Sequence, residues 1–360
     1  MIIQRDYDLT GLNTFGVPAR AKFFAEIKSE RELPELFRAE EFKNNEKLFL
    51  GGGSNILFTR DFPGIVVHNK LKGIEIIPAE GAEKDKVRVR GLSGEIWHDL
   101  VKFASARGLW GIENLSLIPG TVGGAPVQNI GAYGAELKDV LQTVEAYAVA
   151  SGEKRIFENH ECQFGYRDST FKRELKGQYF ISAIILGLNK TGAPNTEYKI
   201  LKEYLEKNKI QINGPADISA AVATIRTSKL PDPKVIGNAG SFFKNVFISQ
   251  TDLERMLKIY PEMPYFEEDD NIKIPSGWLI EQCGPEDARP PDGQGASHHQ
   301  GGASWKGYRI GNVGVHERQA LVLVNYGGAT GQEVKGLAKH IIESVYKKFG
   351  LQLIPEVNLI

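Results

Sequence analysis

ENLSLIPGTVGGAPVQNIGAYGAEL, running from Glu113 to Leu137, is the stretch around which the rest of the chain is organised. Five of its residues are glycine, two are proline, and none is lysine or arginine. Without a Cβ, glycine lets backbone N–H groups come close to a ligand, and successive amides in such turns form concavities that hold anions. A diphosphate suits such a cradle. Glycine clusters also mark ordinary surface turns. A loop of about 20 residues without structure of its own is, however, uncommon in a compact domain and usually functional.

Toward the N-terminus, an apolar strand at Lys47 to Leu50 leads into a second cluster, Gly51, Gly52, Gly53, Ser54 and Asn55. This is a near miss for a dinucleotide fingerprint. The third required glycine is Ile56, and the following ILFTRDFPGIVV reads as strand rather than helix. A Rossmann nicotinamide site is disfavoured, while a tight turn and a phosphate-binding turn both remain open. Between the clusters, VRVR at 87–90 alternates as a half-exposed strand. Ser93 can cap a helix whose one face is Trp97, Leu100, Val101 and Ala104 and which Gly108 can end. Val140 to Val149 then resumes as strand.

Toward the C-terminus, CQFGYRDSTFK at 162–172 sets Arg167 and Asp168 among Phe164, Tyr166 and Phe171. A guanidinium there suits bidentate capture of a carboxylate; a local Arg167–Asp168 or inter-strand ion pair is the alternative. Tyr198 precedes Leu201 and Leu205 at helical spacing and reads as core-facing. Asp217 to Thr227 is helical, and Lys229 to Gly240, with two prolines and two glycines, marks a boundary. Ser241 then opens a Ser-Phe-Phe strand, and Thr251 with Glu254 forms a capping box. Pro285 to Ser304 reads as a mobile surface loop, whose adjacent His298 and His299 are weak evidence for a metal. Val334, Leu337, Ala338, Ile341, Val345 and Phe349 trace one face of a helix stopped by Gly350. In the final strand, LQLIPEVNLI, alternation places Glu356 at an exposed edge.

The chain has 360 residues, formal net charge −1, 41% hydrophobic and 25% charged residues, as expected of a globular protein with two or three cores. Lys+Arg 44 against Asp+Glu 45 gives no basic field, so no nucleic-acid partner is expected. Cys162 and Cys283 cannot form a disulfide framework, which points to a reducing cytoplasm. MIIQRDYDLT lacks the apolar run of a signal peptide, and the longest apolar stretch, Tyr179 to Leu188, is too short to span a bilayer. Alternating strands with separate helices, and boundaries near Ala79 to Asp85 and Lys229 to Gly240, indicate an α+β chain in three parts.

Taken together, NTFGV (13–17), GGGSN, LIPGTVGGAPVQNIGAYG, FGYRDS, RTSKLPDPK, GNAGSFFKN, GWLIEQCG, QALVLVN and the terminal PEV resemble, in order and spacing, the UDP-N-acetylenolpyruvoylglucosamine reductases. These are flavoenzymes of peptidoglycan precursor synthesis. The resemblance runs from about Asn13 to Glu356. It implies a vanillyl-alcohol-oxidase-type FAD-binding module in two parts, 1–80 and 81–229, a smaller α+β substrate domain at 230–350, and a C-terminal strand, 351–360, returning to the first part. It also implies non-covalent FAD, NADPH as hydride donor in the substrate's own cleft, and a chain working as a monomer without a membrane partner.

On the same resemblance, Gly51, Gly52, Gly53, Ser54, Asn55, Pro119, Gly120, Thr121, Gly123, Gly124, Asn129, Gly131, Ala132 and Arg226 bind FAD. Tyr133, Tyr198, Lys229, Asn245, Tyr265, Lys306 and Gln319 match contacts to UDP-N-acetylglucosamine enolpyruvate, Tyr198 being the tyrosine of the subclass with a mobile capping loop. The implied chemistry is reduction of FAD by NADPH and hydride transfer to C3 of the enolpyruvyl group, which builds negative charge on C2 and its carboxylate. Arg167 and Glu356 match the pair around that carboxylate, with Glu356 protonated or hydrogen-bonded, and Ser241 matches the proton donor. Asn358 departs from the arginine of some relatives, and the loop 285–304 is an insertion. A covalently flavinylated oxidase of the same fold and a non-enzymatic nucleotide-sugar-binding protein are the rival readings.

Overall fold

A computed structural model of the chain describes residues 1–77, 85–268, 271–285 and 304–360. The boundary expected at Ala79 to Asp85 and the loop Pro285 to Ser304, with both its histidines, lie outside the described residues except at Asp85, Pro285 and Ser304. Two compact units emerge. The first gathers Met1–Leu12, Arg20–Ser54 and Asp61–Ser228; the second gathers Asn13–Ala19, Asn55–Arg60 and Lys229–Ile360.

The first unit holds two sheets. In the smaller, strand Phe62–Asn69 lies parallel to Arg20–Ile27 and to Lys47–Leu50, and Ile3–Asp8 pairs antiparallel at the edge. Its core joins Ala25, Ile27, Ile65 and Val67 to Leu33, Leu36 and Phe42 from two short helices. The larger sheet has five antiparallel strands, with Tyr179–Asn189 near its centre and buried over almost its whole length. That explains the continuous apolar run at Tyr179 to Leu188, and no helix among the described residues is long and apolar enough to cross a membrane.

The helix Trp97–Ser105 packs the expected face, with Trp97, Leu100, Val101 and Ala104 all buried. Ser93 does not cap it. The cap position is Ile96, which makes no side-chain bond, while the Ser93 hydroxyl is buried and accepts from Asn69 Nδ2 at 2.6 Å. A buried amide needing an acceptor has taken the hydroxyl that a cap would use.

In the second unit, Gly237–Ser241, Val322–Asn325, Val313–Val315 and Arg309–Ile310 form an antiparallel sheet in that order. The NTFGV turn is closed by Asn13, whose amide donates to Val17 O at 3.0 Å and accepts from Val17 N at 3.1 Å. Asn325 Nδ2 then fixes Phe15 O at 2.8 Å. The helix Gly331–Phe349 buries the expected face, starts at a Thr330/Glu333 capping box and ends at Gly350 with φ 70°. Two expectations fail here. The helix Gln250–Ile259 is capped by Ser249, which accepts from Asp252 N at 3.1 Å, and Thr251 lies inside it. The final strand shrinks to Asn358–Leu359, parallel to Ile56–Leu57, because Pro355 allows only an isolated bridge with Phe243.

Candidate active site

In the first unit the two glycine clusters meet. The strand Lys47–Leu50 delivers Gly51 and Gly52 against Gly120 and Thr121 so closely that a Cβ on Gly52 would lie 3.2 Å from Gly120 Cα, and one on Gly51 would collide with Thr121 Oγ1. A Cβ on Gly120 would sit 2.8 Å from Ser54 Oγ, at a φ of +111°. Only glycine fits. The second turn is sutured to the start of the Trp97 helix: Trp97 N donates to Gly120 O at 3.1 Å, Val122 N to Glu95 O at 2.8 Å, and Gly123 N to Ser93 O at 2.8 Å. Trp97 Nε1 adds a buried bond to Leu115 O at 2.9 Å.

The long stretch is therefore not a structureless loop. It carries short 3-10 turns at Glu113–Leu115 and Val122–Gly124, and a tight hairpin joins Gly131–Ala132 to Ala135–Glu136. Leu117, Asn129 and Tyr133 have positive φ (55°, 42° and 49°), and so does Arg167 at 52°. Left-handed backbone at a non-glycine costs on the order of 1–3 kcal/mol and persists where the surroundings over-determine it. The braces are visible. Buried Asn129 donates to Glu136 Oε2 at 3.0 Å and Gly165 O at 3.2 Å and accepts from Lys138 N at 3.0 Å, so its side chain braces the hairpin. Arg167 Nη2 donates to Gly131 O at 2.6 Å, and its guanidinium lies 5.4 Å from the Tyr166 ring centroid. Asp168 pairs with Arg173.

Arg226 projects from the helix Pro215–Lys229. That helix is tied down where Ser219 Oγ meets Ser116 Oγ at 2.7 Å, and it packs Ile218, Val222 and Ile225 against Leu201 and Leu205. Arg226 Nε is buried without a hydrogen-bond partner. Burial pushes its guanidinium below the ordinary value, and the nearby charge of Arg167 acts in the same direction. Two guanidiniums in one another's field, one of them desolvated, favour an anion beside them. Burial likewise lowers His98, whose Nδ1 accepts from Leu117 N at 3.1 Å. Tyr198 corrects the core-facing reading: it is 42% exposed, and its ring meets that of Tyr133 edge-on at 5.3 Å. Its predecessor Asn195 and the buried Asn114 join the same group, and neither stood out in the sequence because an asparagine in a loop carries no periodic signal.

In the second unit, backbone bonds bring Ser241, Leu321 and Glu356 around one residue, Phe242, and Leu321 N donates in turn to Gln319 Oε1 at 3.4 Å. Ser241 ends its strand opposite Val322, Phe242 N donates to Leu321 O at 2.7 Å, and Glu356 N donates to Phe242 O at 2.8 Å. Phe242 and Phe243 are both buried. Glu356 is half-buried, not at an exposed edge. Asn245 Oδ1 accepts from Ser276 N at 3.1 Å, and the neighbouring Gly277 has room for a Cβ only 3.4 Å from Gln319 Oε1. Other residues stand apart by their contacts. Lys306 Nζ pairs with Glu281 at 2.9 Å, Tyr265 is 42% exposed before the strand Phe266–Glu268, and Lys229 ends its helix half-buried. Asn55 Nδ2 donates to Glu356 O at 3.4 Å, and Asn358 Nδ2 donates to Asn55 O at 2.9 Å.

Two opposed glycine turns and, in the same unit, a desolvated guanidinium, in a chain whose residues 21–156 match the FAD binding domain model, define an FAD-binding flavoprotein. The fold is α+β, with that module joined to a smaller α+β part. Residues 290–360 match the C-terminal domain of UDP-N-acetylenolpyruvoylglucosamine reductase. Proteins of that name are 44% identical in Flavobacterium johnsoniae, over 100% of both chains, and 44% identical in Chromobacterium violaceum, over 98% of this chain and 97% of that one. The solved reductase of Thermus caldophilus shares the fold at TM-score 0.63 and 22% identity, covering 100% of this chain and 99% of its own. The chain belongs to the UDP-N-acetylenolpyruvoylglucosamine reductase family.

Proposed function

We propose that Gly51, Gly52, Gly120 and Arg226 hold flavin, that Arg167 holds the substrate's carboxylate, and that Ser241 protonates the product. The reaction is the NADPH-dependent reduction of UDP-N-acetylglucosamine enolpyruvate in peptidoglycan precursor synthesis. FAD, when bound, supplies the hydride-transfer chemistry between the nicotinamide and the enolpyruvyl double bond. The observation that carries the reading is the close approach of Gly51 and Gly52 to Gly120 and Thr121, two glycine turns packed so tightly that a Cβ on either residue would press on the opposite turn. Gly53, Ser54, Asn55, Pro119, Thr121, Gly123, Gly124, Gly131 and Ala132 are the further FAD contacts, Asn129 braces the hairpin that carries Gly131 and Ala132, and Arg226 supplies the buried positive charge.

Arg167 presents a planar fork to the substrate's carboxylate, held in place by its bond to Gly131 O. As C3 gains hydride, negative charge grows on C2 and is shared with that carboxylate, where the guanidinium stabilises it. Ser241 gives its hydroxyl proton to C2. A serine is far too weak an acid for most acceptors at neutral pH, but opposite a carbanion the transfer is favourable. Glu356, protonated or hydrogen-bonded, orients the same carboxyl-bearing centre. Tyr133, Tyr198, Lys229, Asn245, Tyr265, Lys306 and Gln319 contact the rest of the substrate. FAD is held without a covalent bond, and the protein works as a cytoplasmic monomer without nucleic-acid or membrane partners, in keeping with its near-zero net charge.

The visible spectrum tests this reading. Purified protein is yellow, acid precipitation releases the colour to the supernatant, and NADPH bleaches it. Colour retained in the pellet identifies a covalently flavinylated oxidase, and a colourless protein that takes up no FAD ends the reading.

A further inference from the structure

Asn114 sits on the short turn Glu113–Leu115 and is 2% exposed. Both hydrogens of its amide are used on backbone carbonyls, Tyr133 O and Asn195 O, each at 2.8 Å. Asn195 returns the contact, its Nδ2 donating to Gly134 O at 2.9 Å. Three bonds thus tie residue 195 to the hairpin at 133–134. Three residues further on comes Tyr198, whose ring meets Tyr133 at 5.3 Å with an interplanar angle of 72°. Beyond it the helix Lys199–Lys207 is anchored by buried Leu201 and Leu205. Three residues span at most about 10 Å, so a fixed point at 195 and another at 201 leave Tyr198 a short tether.

Asn114 Oδ1 is buried and makes no hydrogen bond. A residue chosen only to fill that space would avoid an unmet acceptor, so the two donated bonds are what the position keeps. Tyr133 needs holding, because its φ is 49°. We infer that Asn114 and Asn195 form an amide clamp that positions Tyr198 over Tyr133 for substrate capture, making both asparagines positioning residues of the reaction. This rests on the reading of Tyr198 as a substrate contact.

The clamp is tested on the FAD-loaded enzyme with Asn195→Ala, Tyr198→Ala and the double variant. Asn195 is exposed, so its alanine variant keeps its fold. Asn195→Ala raises KM for the enolpyruvyl substrate about tenfold while flavin content and Tm stay near the parent's, and it adds less than about twofold once Tyr198 is alanine. Asn114→Asp, which offers no donor to the two carbonyls at neutral pH, raises KM further, and the rise shrinks as the pH falls and the acid gains a donor hydrogen. If the effects of Asn195→Ala and Tyr198→Ala multiply, or if Asn195→Ala leaves KM unchanged while Tyr198→Ala raises it, the clamp is overturned and Tyr198 keeps its role. If Tyr198→Ala leaves KM unchanged, the substrate role of Tyr198 and the clamp fall together.

Discussion

The two units solve different problems with different materials. Among the described residues every non-glycine with a left-handed backbone lies in the first unit: Asp6, Leu117, Asn129, Tyr133, Gln163, Arg167 and Lys209. Three of these lie in the glycine-rich stretch and a fourth hydrogen-bonds to it, so strain concentrates where backbone must face a ligand. The second unit instead carries its candidate groups, Ser241, Asn245, Gln319 and Glu356, beside ordinary strands and turns. A diphosphate is recognised by amide positions, which need glycine and strain, whereas proton delivery needs one side chain on a rigid support. Substitutions in the glycine turns of the first unit should therefore cost cofactor, whereas loss of Ser241 in the second should cost turnover.

The sharpest break comes from Gly120→Val. A branched side chain at φ +111°, where even a Cβ would lie 2.8 Å from Ser54 Oγ, spreads the two turns, and FAD affinity falls by at least about 100-fold. Equilibrium dialysis against FAD measures it, and a normal flavin content would show that the turns do not form the cradle. Arg167→Lys is next. It keeps its flavin but loses kcat/KM by about 100-fold, since a point charge cannot reproduce a bidentate fork. Steady-state kinetics on flavin-replete protein check this, and a near-parental kcat/KM would return Arg167 to a structural role beside Gly131.

A pH effect sharpens the contrast from the stability side. Burial, aided by Lys70, pushes the imidazole of His68 down to about 4, against partial support from Glu26 at 3.5 Å. With its folded pKa depressed, His68 contributes stability that is present above about pH 6.5 and is lost as the pH falls toward about 4, because only the unfolded chain then binds the proton. The slope is up to ~1.4 kcal/mol per pH unit. Urea denaturation at pH 7 and pH 5 shows a smaller drop in His68→Gln than in the parent, and equal drops would remove His68 from the account. Smallest is Thr330→Ala in the second unit. It costs ~1 kcal/mol by removing the helix cap and leaves flavin content and kcat unchanged. A thermal melt and an assay decide it.

How much the sequence disclosed depended on whether a signal was periodic. The face Val334 to Phe349 and the stop at Gly350 were legible because burial repeats every three to four residues and a left-handed cap favours glycine. Both glycine clusters were legible as phosphate-compatible turns, but their meeting was not, since Gly52 and Gly120 lie 68 positions apart and no local pattern encodes a long-range approach. Caps misled at Ser93 and Thr251 because a hydroxyl satisfies whichever buried or terminal group reaches it first. Tyr198 misled because helical spacing gives a face only inside a helix, and it stands just before one. Alternation failed for Glu356 because the strand that would set it is cut short. The clustering of Ser241, Gln319 and Glu356 came from the family resemblance and not from any spacing in the chain.

The division of labour between the units is tested most directly by Ser241→Ala, with each half reaction followed separately by stopped-flow absorbance. NADPH bleaches the flavin at close to the parental rate, while reoxidation by the enolpyruvyl substrate slows by at least the ~10² to 10⁴ expected for loss of a general acid, with little change in substrate binding. If reoxidation is barely slowed, or if both halves slow alike, Ser241 is a structural residue of its strand and the proton comes from another group.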